Sequence, residues 1–157
     1  MKTLDASFFE NNRKAAMDKL DGSILVVSAY AEMQRGNDAA FQFEQEANFW
    51  YVTGIEHPDW WVIIDSSRQR SWLVAPDVSD VHALFDGSLS ADDAVRVSGI
   101  KDVVDHQAGI SLLKQAARKH HLIYTVDMPM HHDHFGFTMN PNSKNMRDQL
   151  ERTFTKV

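Results

Sequence analysis

Short runs of apolar, β-branched residues recur along the chain, and each run is bounded by turn residues or by a helical pattern. The longest of these runs are Ile24–Val27 and Trp60–Ile64. Runs of this length and composition are typical of strands that are buried on both faces of a sheet. Because such strands alternate with helical patterns through much of the chain, we expect an α/β fold with a mixed sheet flanked by helices.

The helical patterns have recognisable beginnings and ends. Ser7 and Glu10 form a capping-box pattern, in which each side chain bonds a free backbone amide at the start of a helix. We predict helices at Ser7–Leu20, Val78–Phe85, Ser90–Gly99, Gly109–His121 and Ser143–Phe154. We predict strands at Ser23–Ala29, Trp60–Asp65, Trp72–Ala75, Ile100–Val104 and Leu122–Val126, with a hairpin loop at residues 66–69. Since neighbouring strand residues face opposite sides of a sheet, Trp60 and Trp61 should differ in exposure.

The composition restricts the class of protein. We expect the 157 residues to form a single domain spanning 1–157. Acidic and basic residues are mixed along a chain of formal charge -6, without the basic stripe of nucleic-acid-binding proteins. The apolar runs are too short to cross a bilayer, and the absence of cysteine excludes disulfides and cysteine-based zinc sites. We therefore expect no nucleic-acid partner, no membrane association and a cytoplasmic location.

No catalytic motif stands out in the sequence. The chain lacks a Gly-x-Ser-x-Gly elbow, a Gly-x-x-x-x-Gly-Lys phosphate loop and a Gly-x-Gly-x-x-Gly dinucleotide turn, and its seven glycines are isolated. The scattered carboxylates give no pair with assignable acid and base roles. The residues alone therefore argue against autonomous catalysis and against a cofactor bound by this chain.

Histidines form the one cluster that could bind a metal. The densest group is His131-His132-Asp133-His134, in a polar loop. The more isolated histidines are His57, His106, His120 and His121. Imidazole and carboxylate ligands bind zinc or manganese when they converge at fixed geometry. Consecutive loop residues usually point in different directions, so we favour a solvated loop and keep His131, His132 and His134 only as weak metal candidates.

Aromatic residues are concentrated in one short segment. Five of them lie within eleven positions: Phe41, Phe43, Phe49, Trp50 and Tyr51. This is more than one face of a strand or helix needs. We favour core packing, because aromatic side chains dominate burial energy. The alternative is that some of them form an apolar surface that meets another domain or subunit.

The aromatic segment belongs to a longer series of motifs. The series begins with Arg35-Gly-Asn-Asp38, Phe41-Gln-Phe43 and Gln45, and continues with Asn48-Phe-Trp-Tyr-Val-Thr-Gly54 and Glu56-His57-Pro58. Further matches are Trp72-Leu-Val74, Phe85-Asp-Gly87 and a first helix that carries Arg13 and Lys14. These motifs resemble the amino-terminal domain of the aminopeptidase P family, a domain type that prolidases and creatinase-like enzymes share.

The resemblance implies a ribonuclease-H-like α/β layer without catalytic residues of its own. In this family a separate metallopeptidase domain removes the residue ahead of proline. That domain uses two Asp, one His and two Glu to hold two manganese-type ions, which activate a water. None of those ligands has a matching position here, and Leu150-Glu-Arg152 resembles the hinge at which that domain begins. We therefore expect a noncatalytic domain, inactive alone, whose partner is the missing catalytic domain.

The resemblance also implies roles in an oligomer. In oligomeric relatives this domain helps to assemble the subunits and lends residues to a neighbour's peptide cleft. By that resemblance Asp38 would meet a substrate amino group and Phe85 would line the cleft, both in trans. Glu44, Ala83 and Asn12 depart from the family's pattern. Two alternatives stay open, namely a stand-alone binding module with the same fold and the corresponding domain of a prolidase or creatinase-like enzyme.

Overall fold

The computed structural model describes residues 4–37, 39–78, 87–120, 122–127 and 140–154. Its helices are α1 Ala6–Leu20, α2 Ala47–Thr53, α3 Ala91–Ser98, α4 His106–Ala116 and α5 Asn142–Phe154. Its strands are β1 Ile24–Ser28, β2 Gln34–Gly36, β3 Ala39–Ala40, β4 Trp61–Asp65, β5 Arg70–Val74, β6 Asp102–Val104 and β7 Ile123–Thr125. In this part of the chain, no helix is both long enough and apolar enough to cross a membrane.

Five strands form one mixed sheet in the order β6-β5-β4-β1-β7. The β1–β4 and β4–β5 pairs are antiparallel, whereas the β1–β7 and β5–β6 pairs are parallel. Four strands therefore run in one direction, and β4 runs against them in the centre. The strands β2 and β3 pair separately as a short antiparallel ribbon. The predicted mixed sheet flanked by helices is confirmed, whereas the small ribbon was not predicted.

The β4–β5 hairpin is closed by the predicted four-residue loop. Asp65 lies opposite Arg70 in the register of the two strands. The Asp65 Oδ1 accepts a hydrogen bond from the Ser67 hydroxyl at 2.6 Å and another from the Arg68 backbone amide at 3.1 Å. The buried carboxylate thus fixes the loop, and the loop holds β4 and β5 in register.

Each face of the sheet has its own apolar core. Because side chains alternate along a strand, Val62 and Ile64 share a buried cluster with residues of α1, α2 and α3. Ile63 and Trp72 share a second cluster with residues of α4 and α5. The described residues therefore form three layers, with the sheet between two layers of helices.

The first helix starts one residue earlier than the sequence predicts. α1 begins at Ala6, and its N-cap is Asp5. The Asp5 Oδ1 accepts a hydrogen bond from the Ser7 backbone amide at 3.0 Å. The predicted capping box, with Ser7 as the cap and Glu10 as its partner, is wrong because Asp5 already supplies the capping oxygen.

The fourth helix also differs from its predicted bounds. We predicted a helix from Gly109 to His121, whereas α4 runs from His106 to Ala116. Its N-cap is Asp105, whose carboxylate accepts a hydrogen bond from the Ala108 backbone amide at 2.7 Å. An Asp at this position satisfies a backbone amide that the helix itself leaves free.

The short helix α2 has no counterpart among the predicted elements. Its N-cap is Glu46, whose Oε2 accepts a hydrogen bond from the Phe49 backbone amide at 2.6 Å. It ends at Gly54, which has a φ of 71° and donates its amide hydrogen to the Trp50 carbonyl. Seven residues with a Glu cap give a weak periodic signal. The helix predicted at Val78–Phe85 lies, apart from Val78, outside the described residues.

Candidate functional site

A cleft of about 840 Å³ lies at the edge of the sheet where β5 and β6 end and β4 begins. Ala75 and Pro76 line it just after β5, and His106 lines it just after β6. One face of α5, from Asn142 to Arg152, forms another wall. In α/β sheets this is the edge at which ligands bind, outside the carboxyl ends of the parallel strands.

An aromatic pair forms part of the cleft surface. The rings of Trp61 and His106 meet edge to face, with 4.5 Å between their centroids. Trp61 is half-buried, while its neighbour Trp60 is only 3% exposed. The predicted difference in exposure is confirmed. The half-buried indole packs against the apolar core on one face of the sheet, and with the imidazole it presents aromatic surface with polar edges to the cleft.

Two asparagines tie the α5 wall of the cleft to the sheet. The Asn142 Nδ2 donates to the Ala29 carbonyl at 3.1 Å and to the Asp59 carboxylate at 2.7 Å. Asn140 and Ala31 exchange two hydrogen bonds of 3.0 Å, one through each polar atom of the Asn140 amide. Because both side chains bond residues that follow β1 or precede β4, they hold the start of α5 against the cleft.

Gln45 fixes the opposite side of the cleft, where His57 lies. Its Oε1 accepts hydrogen bonds from the backbone amides of Tyr30 at 3.0 Å and Glu46 at 2.8 Å. Its Nε2 donates to the carbonyls of Ile55 at 3.1 Å and His57 at 3.0 Å. This motif glutamine therefore joins the segment after β1 to both ends of α2 and to the turn that carries His57.

Two polar residues of α1 bind the end of α2. The Arg13 Nη1 donates to the Val52 carbonyl at 2.7 Å, and the Asn12 Nδ2 donates to the Tyr51 carbonyl at 2.8 Å. These bonds satisfy carbonyls that a helix leaves free in its last turn. Burial lowers the pKa of Arg13 to about 10, so its guanidinium is still charged at neutral pH.

The aromatic segment divides between the core and the surface. Phe49 is fully buried, Phe43 and Trp50 are half-buried, and Phe41 and Tyr51 are 56% and 49% exposed. The favoured interpretation, core packing, therefore holds for only part of the segment. The reason is the short helix α2, which turns successive residues of the segment toward different sides.

The predicted site residues fall where the structure gives no description. Asp38, Phe85, His131, His132 and His134 all lie outside the described residues. Among the residues that are described, no three His, Asp or Glu side chains gather in a way that could hold a metal ion. The isolated histidines His57 and His106, in contrast, both line the cleft.

The lining of the cleft combines aromatic, amide and charged side chains. Its described side chains combine the Trp61–His106 pair with amides such as Asn145 and Gln149 and with carboxylates such as Asp77. Amides bond peptide groups, and carboxylates attract an amino group. The family motif Glu56-His57-Pro58 contributes two residues to the lining of the cleft, although the sequence did not predict them as a site. The sequence contains no signal for the contacts of α5, which depend on residues far apart in the chain.

The family model described as the aminopeptidase P N-terminal domain matches residues 9–124. The chain belongs to this family. The match covers the motifs from α1 to β7 and confirms the resemblance that the sequence motifs suggested.

Named relatives and solved structures agree with the family match. A protein of Pyricularia oryzae assigned as the Xaa-Pro aminopeptidase PEPP is 26% identical over 105 residues, which cover 66% of this chain and 23% of that protein. A Fusarium vanettenii protein assigned as an Xaa-Pro aminopeptidase is 29% identical over 84 residues, covering 53% of this chain and 18% of that protein. The chain thus spans less than a quarter of the length of these relatives.

The fold is similar to that of solved aminopeptidase P structures. A Bacillus anthracis protein assigned as an aminopeptidase P superposes with a TM-score of 0.77 at 20% identity, over 98% of this chain and 37% of that chain. The low-pH form of the Escherichia coli aminopeptidase P gives 0.74 at 18% identity, over 98% of this chain and 34% of that chain. At these identities the similarity establishes the fold.

Proposed function

We propose that this chain is a noncatalytic domain of a proline-specific metallo-aminopeptidase, with roles in subunit assembly and in shaping the peptide cleft. The observation that carries the proposal is the family match over residues 9–124. The named relatives are much longer than the region that they share with this chain. The two divalent, manganese-type ions of the parent enzyme belong to its catalytic domain in this proposal. The location proposed for the parent enzyme is the cytoplasm.

The described cleft supports the proposed contact with peptide. The Trp61–His106 pair offers a surface against which a proline ring can pack, since aromatic side chains bury apolar rings favourably. Asp59 and Asp77 line the same cleft and carry the charge that attracts a peptide amino terminus. Asp38 and Phe85, implied by the family resemblance, remain the candidates for contact with the substrate of a neighbouring subunit.

Exposed aromatic residues support the proposed role in assembly. Phe8 on α1 and Tyr51 on α2 are 36% and 49% exposed, and their rings meet edge to face at 6.5 Å. Aromatic residues in such positions are enriched where protein surfaces meet. The occupant that we propose for this face is a second subunit.

A peptide titration tests the role of the cleft. A tripeptide with proline at its second position should shift the NMR signals of Trp61 and His106 in the full chain, with weak, saturable binding. His106→Ala should weaken this binding, whereas His120→Ala, which changes a histidine outside the cleft, should not. Equal effects of the two variants, or the absence of saturable shifts, would contradict the role.

Sedimentation equilibrium tests the proposed role in subunit assembly. A chain that stays monomeric at high concentration would contradict that role.

A further inference from the structure

A second, smaller pocket lies at the edge of the sheet opposite to the cleft. Its volume is about 360 Å³, and it is bounded by α1 and by the starts of β5 and β6. Its lining includes Arg13 and Lys14 of α1, Ser71 of β5, and Lys101 just before β6. We call this the basic pocket. It shares no lining residue with the cleft and takes no part in the function proposed above.

The basic pocket contains a polar atom without a partner. The Ser71 Oγ is buried and makes no hydrogen bond to any described residue. A buried hydroxyl without a partner is unfavourable, and native proteins leave few of them. A hydroxyl can donate to any acceptor that enters the pocket beside it.

The pocket also contains a buried cation with spare donors. Arg13 is only 5% exposed, and in the described part of the chain its guanidinium donates a single hydrogen bond, to the Val52 carbonyl. Burial lowers the pKa of Arg13 to about 10, because the charged form loses hydration. A guanidinium has five N–H donors, and the bond to Val52 uses one of them.

The charges around the pocket favour an anion. Four basic side chains line it, against the two acidic ones of Glu10 and Asp102, although the whole chain has a net charge of -6. Asp102 is already paired with Arg70 through hydrogen bonds of 3.0 and 2.8 Å. Arg13, Lys14 and Lys101 are thus opposed by Glu10 alone, which leaves local positive charge in an acidic protein.

We propose that the basic pocket binds a small oxyanion, either a phosphate or a carboxylate group. The oxygens of the anion would accept from the Ser71 hydroxyl and from the unused N–H groups of Arg13. Lys14 and Lys101, which are exposed at the rim, would attract it from solvent. Bound there, the anion would satisfy both buried groups that the fold leaves short of partners.

The test uses the full chain and simple anions as probes. Sodium phosphate and sodium acetate are titrated separately, with sodium chloride at matched ionic strength, while the midpoint of thermal unfolding is followed. We expect a saturable increase with phosphate, acetate or both, because a ligand that binds only the folded state stabilises it. A response to one anion alone supports the site and identifies the group. Effects no larger than those of chloride would overturn the proposal.

Three variants show whether the response comes from this pocket. Ser71→Ala removes a buried hydroxyl without a partner, so the anion-free protein should be as stable as before or more so, while anion affinity falls about fivefold. Lys101→Gln should weaken binding about twofold to fivefold through the loss of an exposed charge. Lys114→Gln, an exposed lysine on α4 outside the pocket, should leave it unchanged. An undiminished response in both pocket variants would contradict the assignment.

Discussion

Gln45 uses the whole hydrogen-bonding capacity of its side-chain amide. Two backbone amides donate to its oxygen, and two backbone carbonyls accept from its nitrogen. A glutamine can make this set of bonds, whereas a carboxylate cannot, because it has no donor when ionised. Gln45 is therefore required for the structure of the turn that carries His57. Its influence on the cleft is indirect, because it acts through that turn.

Replacing Gln45 by Glu should destabilise the fold. The carboxylate would face the carbonyls of Ile55 and His57, and both would lose their donor. We expect the free energy of unfolding in urea to fall by about 2–3 kcal/mol. The same exchange at the exposed Gln42 should change it by less than about 0.5 kcal/mol. Equal effects at the two positions would contradict the role assigned to Gln45.

At the scale of secondary structure elements, caps decide where the helices lie. The strands of the main sheet were predictable because they depend on local runs of apolar residues, as in Ile24–Ser28 and Trp61–Asp65, whereas the exposed strands β2 and β3 have no such run. The helix α2 was not predictable, because its cap is a buried Glu46 and its seven residues are too few for a clear period. Its end at Gly54 was visible in the sequence only as a turn.

A substitution at Gly54 tests the contact between α1 and the end of α2. A Cβ at this position would lie 2.3 Å from the Phe9 ring, and the φ of 71° disfavours any other residue. Gly54→Ala should lower the free energy of unfolding by about 2–4 kcal/mol, from backbone strain and overpacking together. Gly22→Ala is the matched control, since Gly22 also has a positive φ but no atom within 4 Å of a Cβ. Its cost should be only about 1–2 kcal/mol. Similar losses in both variants would argue against the Phe9 contact.

The Arg70–Asp102 pair joins β5 to β6 and gives a pH-dependent contribution. Hydrogen bonds from Arg70 hold the pKa of Asp102 below its usual range. A carboxyl group whose pKa is lowered by folding stabilises the fold above its unfolded pKa of about 3.9 and loses that effect as pH falls further. The pair is partly exposed, so Asp102→Asn should cost at most about 1 kcal/mol at neutral pH.

Urea unfolding at pH 7 and at pH 2.5 measures this contribution. The difference between the wild-type protein and Asp102→Asn should shrink at the lower pH, because the unfolded chain binds a proton at this carboxyl group before the folded protein does. Asp18→Asn, at an exposed position on α1, serves as the control and should show a small difference at both values. A difference for Asp102→Asn that grows toward acid pH would contradict the assignment.

At the scale of the whole molecule, the sheet was predictable and the cleft was not. The mixed sheet follows from the order of strands and helices along the chain. The cleft depends on Asn142, which bonds Ala29 and Asp59 across 113 and 83 positions of sequence. No local pattern signals such contacts. The family motifs signalled the domain type, because residues such as Gln45 and Gly54 meet requirements of backbone structure.

The central proposal is that this chain is a domain of a peptidase and does not hydrolyse peptides itself. The most direct measurement is the hydrolysis of a peptide with proline in its second position by the purified 157-residue chain, with manganese in excess. The Escherichia coli aminopeptidase P serves as the positive control under the same conditions. We predict no release of the amino-terminal residue above that of buffer with manganese. Turnover that copurifies with the chain through successive separations would contradict the claim.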